Sequence, residues 1–190
     1  MKFLFSVFIL LFPYFIFAKP VINSKIEYYY IYPESKKDLR RALFAKTPIF
    51  MDGKKFLGVT RWRIHLDYET FKKNNICTAV NLKTVAKIII ILPKISKEQK
   101  VSYNTRSSFR IFYNKVKKHE HKHEYYIIRA AKEIDKKLLR IKPQPNCEKL
   151  KKKFDKVLHK VITKYNKKNK LFDKKTKQDH NPKSDLDSYL

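Results

Sequence analysis

Glycine is nearly missing from this chain, with two residues in 190. Gly53 and Gly58 each stand alone, so no glycine-rich phosphate loop can be built. Cysteine is as scarce, and Cys77 and Cys147 form no Cys-x-x-Cys pair, which removes a thiolate metal cage. Acidic side chains number 17 against 45 basic ones, giving a formal charge of +28. Of those basic residues 37 are Lys and only eight are Arg. Clustered Arg with interleaved aromatics, the pattern of a phosphate groove, is not found, so the excess reads as lysine spread over solvated faces and not as specific nucleic-acid recognition. Such a charge still favours electrostatic contact with anionic envelope surfaces.

Long apolar runs are absent but for one. Phe3 to Phe17 is interrupted only by Ser6 and Pro13, follows the lone charge of Lys2 and ends at Ala18. That is the form of a secretory signal peptide over residues 1–18, cut before Lys19, and it is short for a membrane span. No cysteine follows it to carry a lipid. An exported chain, periplasmic or secreted, with two cysteines is expected to join Cys77 to Cys147 in a disulfide.

What the sequence does contain is a long helical pattern around Lys118-His119-Glu120-His121-Lys122-His123-Glu124. The apolar stripe Phe112, Val116, Ile127, Ala130, Ile134, Leu138 and Ile141 is continued through the motif by His119 and His123. Residues four apart on a helix lie one above the other, so both imidazoles face the core. Unpartnered there, each would cost on the order of 1 to 3 kcal/mol, whereas a shared Zn²⁺ satisfies both. Glu120, beside them, is the expected proton acceptor for a metal-activated water. His121 points away and is read as a solvated neighbour.

Around this helix the pattern predicts a Tyr-rich strand over 26–32, a short helix opened near Ser35 and running to Phe44, a tight turn at Asp52-Gly53, and an alternating strand from Leu57 to Tyr68. Lys72 to Asn75 reads as a polar loop and Ile76 to Leu92 as β structure ended by Pro93. The main helix is placed at 109–140, capped by Ser107 or Ser108. Asn146 caps a second amphipathic helix carrying Leu150, Phe154, Val157, Leu158, Val161 and Tyr165. Residues 171–190 read as a charged, partly disordered tail. Strands first and helices second give an α+β fold: one domain over 19–170, with a small, largely antiparallel sheet packed on the long motif helix and a second, antiparallel C-terminal helix.

Several of these features coincide in one family. Asp52-Gly53, Thr60-Arg61-Trp62, Cys77, Leu92-Pro93, the His-Glu-x-x-His helix with Ile127, Ala130 and Ala131, Cys147 and Phe172-Asp173-x-x-Thr176 together resemble the bacterial family described as predicted secreted zinc-dependent proteases, otherwise a domain of unknown function. The resemblance spans about Tyr28 to Thr176. It departs at Lys122, where the family commonly has Gly, and after Thr176, where Thr-x-His-Gly is replaced by Thr176-Lys177-Gln178-Asp179-His180. It implies a zinc metallopeptidase with His119 and His123 as ligands, Glu120 as base and a peptide or protein substrate; a monomer is the expected state.

A catalytic zinc needs a third protein ligand and an open position. His180 is the leading candidate, with Glu133 and His65 behind it. Glu148 is discarded, because an antiparallel hairpin of helices leaves it roughly 25 Å from His123. The same geometry puts Lys164 and Tyr165 level with the motif, where Tyr165 is read chiefly as core and otherwise as a hydrogen-bond donor. The contrasting expectation is a non-enzymatic envelope protein with a structural or degenerate metal site that binds anionic surfaces. Hydrolysis of a non-peptide amide would use the same site chemistry.

Overall fold

The computed structural model describes residues 19–51 and 53–176. Residues 1–18, expected to be a signal peptide, Asp52 and residues 177–190, His180 among them, lie outside the described residues. In chain order the elements are β1 (Val21–Ile31), α1 (Leu39–Lys46), β2 (Phe50–Met51), β3 (Lys54–Lys55), β4 (Val59–Lys73), β5 (Ile76–Ile95), α2 (Tyr103–Leu138) and α3 (Cys147–Lys175). The α+β fold expected from the sequence is the fold observed. Among the described residues no helix is long and apolar enough to cross a membrane.

The main sheet has the order β1-β5-β4. β4 and β5 form the antiparallel hairpin that alternation predicts, but β1 runs parallel to β5, so the sheet is mixed. The two-residue link Asn74-Asn75 has φ of 49° and 57° at consecutive positions, which matches the twist of a tight hairpin and suits Asn, so the polar loop expected at 72–75 shrinks to a turn. Asn81, at φ 55°, lies where the register slips between Asp67 and Glu69, as in a bulge with its extra residue in the left-handed region. Pro93 does not end β5. β4 begins at Val59 opposite Ile91, so at Pro93 one side of β5 has no partner strand, and a missing N–H is tolerated there.

Alternation along each strand splits the sheet into two faces. Thr60, Trp62, Ile64 and Leu66 share one face with Ile90, Ile88, Ala86 and Thr84, and this face carries α2 and α3. The opposite face is covered at one end only, where α1 and the β2–β3 hairpin bury Leu39, Leu43 and Ile49 with Tyr29 and Ile31. A second, two-stranded sheet is formed by β2 and β3 around Gly53, whose φ of 75° favours a residue without Cβ.

α2 begins six residues earlier than its apolar stripe suggests. Ser102 is the cap, its hydroxyl accepting from the Thr105 amide at 3.2 Å, and Thr105 and Ser108 turn inward. Asn146 caps α3 as expected, accepting from the Lys149 amide at 2.8 Å. The helices are antiparallel: Lys164 on α3 meets Glu133 on α2 at 2.6 Å, and further along α3 Asn169 meets His123. α3 continues through Lys175, so the first five residues of the expected tail are helical. The reason is that Phe172 and Asp173 stay on the inner, half-buried face while the lysines point out.

Cys77 and Cys147 form the expected disulfide, with Cα atoms 5.1 Å apart across a separation of 70 residues. Cys77 also exchanges both backbone hydrogen bonds with Gln144, so the start of β5 is tied to the start of α3 twice. Closing a loop of this size stabilises by roughly 4 kcal/mol in the chain-entropy account. The paired Cys77→Ser and Cys147→Ser variant is therefore expected to unfold at clearly lower denaturant concentration, and an unchanged midpoint would contradict that role.

Glu133 is bonded by Lys137 at 2.8 Å and by Lys164 at 2.6 Å, which holds its carboxyl down from 4.5 to about 2. A carboxyl depressed in the folded state contributes stability above its unfolded value, and that contribution is lost as pH falls from about 4.5 toward 2. Glu133→Gln should accordingly flatten part of the stability decline in that window, read by thermal unfolding at stepped pH.

Candidate metal centre

The motif lies mid-way along α2, where helical geometry stacks His119 and His123 one turn apart. Their Nε2 atoms approach to 2.9 Å. Both face one oxygen of Asp173 on α3: Oδ1 is 3.2 Å from His119 Nε2 and 2.8 Å from His123 Nε2. A tetrahedral ion with bonds of about 2.0 to 2.1 Å has ligand-to-ligand edges of about 3.3 Å, so the three donors stand close to where a small divalent cation would place them. His119, His123 and Asp173 could hold a metal ion.

The outer hydrogen bonds say more. Asn169 Oδ1 lies 2.9 Å from His123 Nδ1, and an oxygen acceptor there puts the ring proton on Nδ1. Thr176 donates its hydroxyl to the Phe172 carbonyl at 2.9 Å, leaving its oxygen to accept from His119 Nδ1 at 3.4 Å. Both Nε2 atoms are then left with lone pairs, aimed at a carboxylate oxygen. Three converging lone pairs repel unless a metal cation or a proton lies between them, so with both imidazoles neutral the donor set fits a metal. Phe172 stacks on the His119 ring at 4.6 Å and meets His123 edge-on at 5.4 Å, restricting both imidazoles. Their side chains keep 10% and 13% exposure and Asp173 keeps 25%, so the cluster is half-buried at the surface of the helix pair.

Without a metal, a proton on an imidazole Nε2 takes the ion's place, and the charges then support one another. Burial pushes the Asp173 carboxyl up, but bonds to His119 and His123 outweigh it and bring it to about 2. Burial favours neutral His123, yet its bonds to Asp173 and Asn169 leave its pKa raised.

Glu120 is held differently. It is 2% exposed and points toward the sheet, where Thr60 donates its hydroxyl to Oε2 at 2.8 Å and lies 3.1 Å from the Glu120 carbonyl. Burial raises its pKa, and the Thr60 bond and the nearby His123 and His119 only partly offset this. Gly58 makes room: a Cβ there would fall 2.5 Å from Val116 Cγ1 and 3.1 Å from Glu120 Oε1. The second glycine is thus required by close packing against the motif carboxylate.

The sequence assigned the third ligand elsewhere. Among the described residues Asp173 takes that place. Glu133 is occupied by its two lysines, and His65 is on the opposite face of the sheet, paired in register with Val85. Glu148 is near the helix junction in an ion pair with Lys152, as its rejection anticipated. His121 bonds Glu124 on the outer side. Tyr165 is buried eight residues before Asp173, about 12 Å down α3 from the donors, so it is not level with the motif. The residues left out were Asn169 and Asp173. Their signal is the stripe Val161, Tyr165, Asn169, Phe172, which keeps helical spacing into the lysine-rich end.

A family model described as a bacterial protein of unknown function (DUF922) matches residues 26–181. The chain belongs to the DUF922 family. That match covers every element from late β1 through α3 and all the residues of the metal centre. No curated protein and no solved structure matches this DUF922 chain.

Because Asn169 sets the His123 tautomer, Asn169→Ala should weaken metal binding by about 10- to 100-fold while leaving the fold intact. Competition with a chelating dye measures it, and wild-type affinity would show that Asn169 plays no orienting part.

Proposed function

We propose that this chain is an exported zinc-dependent peptide hydrolase. The observation that carries the reading is the convergence of two Nε2 atoms and one carboxylate oxygen within 3.2 Å, with a buried glutamate at the next residue of the same helix. Imidazole and carboxylate donors in a near-tetrahedral set suit zinc. Zinc held there would supply a Lewis acid for the scissile carbonyl and acidify a water molecule.

The protein's own groups would do the rest. Glu120, its pKa raised by burial, would accept a proton from the attacking water and pass it to the leaving amine nitrogen as the C–N bond breaks. Thr60 would keep that carboxylate in place, while Asn169, Thr176 and Phe172 would fix the imidazoles. The outer edge of β4 has no partner strand among the described residues, and it starts beside Thr60. An extended peptide could pair there and run past Glu120. The disulfide supports the exported setting.

A structural site would be closed by four protein donors, whereas a hydrolase needs an open position, and binding of a hydroxamate at the ion separates the two. The direct test incubates zinc-loaded mature protein with a mixed peptide library, with and without a hydroxamate. Cleavage abolished by the hydroxamate supports the reading, and stoichiometric zinc with no cleavage of any peptide or amide rejects it.

A further inference from the structure

Among the described residues nothing packs on one half of the sheet face opposite the helices. At that end the face presents Lys25 and Glu27 from β1, Lys83 and Lys87 from β5, and Arg61, Arg63, His65 and Asp67 from β4. Lys25 is paired with Glu27 at 2.6 Å, and Asp67 is opposite Lys83. Arg61, Arg63 and Lys87 remain exposed with no ion pair or hydrogen bond among the described residues. Arg63 and Lys87 are direct cross-strand partners, a like-charge pairing that destabilises a sheet, and Arg61 is one place further along the same face. Two of the eight arginines thus stand side by side on one face with a lysine across from them. The linear sequence conceals this, because Trp62 between the arginines belongs to the other face.

We propose that Arg61, Arg63 and Lys87 form a docking surface for a linear phosphodiester polymer that carries no bases. Charge complementarity selects an anion, and guanidinium forks suit phosphate oxygens. The shape selects a chain over a bilayer. α1 covers the neighbouring end of the same face and stands about 10 Å proud of it, so a flat membrane would rest on the helix while a strand-like polymer can lie beside it. Around the cluster the bare end offers Val21, Val85 and Ile89, and its exposed aromatic, Phe71, lies eight residues beyond Arg63 on β4, roughly 26 Å away, so a base on a phosphate held by the cluster has nothing to stack on. Docking through this face leaves the metal centre, on the helical side, turned away from the polymer. The proposal does not depend on the hydrolase reading.

Because the chain carries +28 overall, the test must separate this face from general adsorption. Binding of fluorescein-labelled poly(glycerol phosphate) to the mature chain is followed by anisotropy. The variant Arg61→Gln/Arg63→Gln/Lys87→Gln is compared with Lys153→Gln/Lys156→Gln/Lys160→Gln, an equal change of charge on exposed α3 positions. The first should weaken binding at least about tenfold and the second about threefold or less. Its thermal midpoint should not fall, since a like-charge pairing is relieved, and this separates lost binding from lost folding. Equal weakening by the two variants overturns the proposal. So does tighter binding of a single-stranded oligonucleotide, or binding only to phosphatidylglycerol vesicles.

Discussion

Glu120→Gln is expected to retain its metal and lose turnover by about 10²- to 10⁴-fold, the range that removal of a positioned general base produces. Glutamine keeps the volume and can still accept the Thr60 hydroxyl bond that measures 2.8 Å in the wild type, so the packing against Gly58 and Val116 is preserved. A buried carboxylate is replaced by a neutral amide, and the variant should unfold no earlier than the wild type. What disappears is a buried carboxylate adjacent to His119 in the chain that is not itself one of the three donors. Zinc stoichiometry and cleavage rate, measured on the same preparation, decide the matter. Undiminished hydrolysis with full zinc would remove Glu120 from the chemistry, whereas loss of both would mean that it acts through the fold.

Asp173→Ala is expected to weaken zinc binding by about 10² to 10⁴. Structural zinc sites bind with about 10 to 16 kcal/mol in total, so one donor among three accounts for roughly 3 to 5 kcal/mol. In this variant His119 and His123 keep their positions on α2 but lose the oxygen that both face. Asp173→Asn separates charge from shape, and retention of affinity by Asn but not by Ala would show that an oxygen donor suffices. Equal zinc affinity in Asp173→Ala and wild type would place the third ligand elsewhere. This result bears on the assignment more than any change at the histidines, because Asp173 is the donor supplied by the second helix.

How much of this was legible follows from distance along the chain. His119 and His123 share a helix, and a spacing of four residues on a periodic stripe is enough to stack two rings. The same local rule gave Asn146 as a cap and the alternation of β4. It misled where side-chain chemistry was ambiguous. Ser102, Ser107 and Ser108 are equally good caps on paper, and only the inward turn of Thr105 and Ser108 chooses Ser102. Residues 171–175 read as the start of a solvated tail, yet an antiparallel partner helix gives Phe172 and Asp173 something to pack on.

By itself the sequence determined the α+β class, the disulfide partners, the paired imidazoles and the carboxylate next to them, since each depends on composition or on residues within one turn or one strand. Tertiary structure decided three things. It made the sheet mixed by bringing β1 parallel to β5; it carried Asp173 across 50 residues to His123; and it set Arg61, Arg63 and Lys87 together on a bare face. All three depend on how one element registers against another. That register is fixed by the length of the 139–146 connection, the Cys77–Cys147 tie and the fit of whole faces, quantities summed over many contacts and carried by no single stretch of chain.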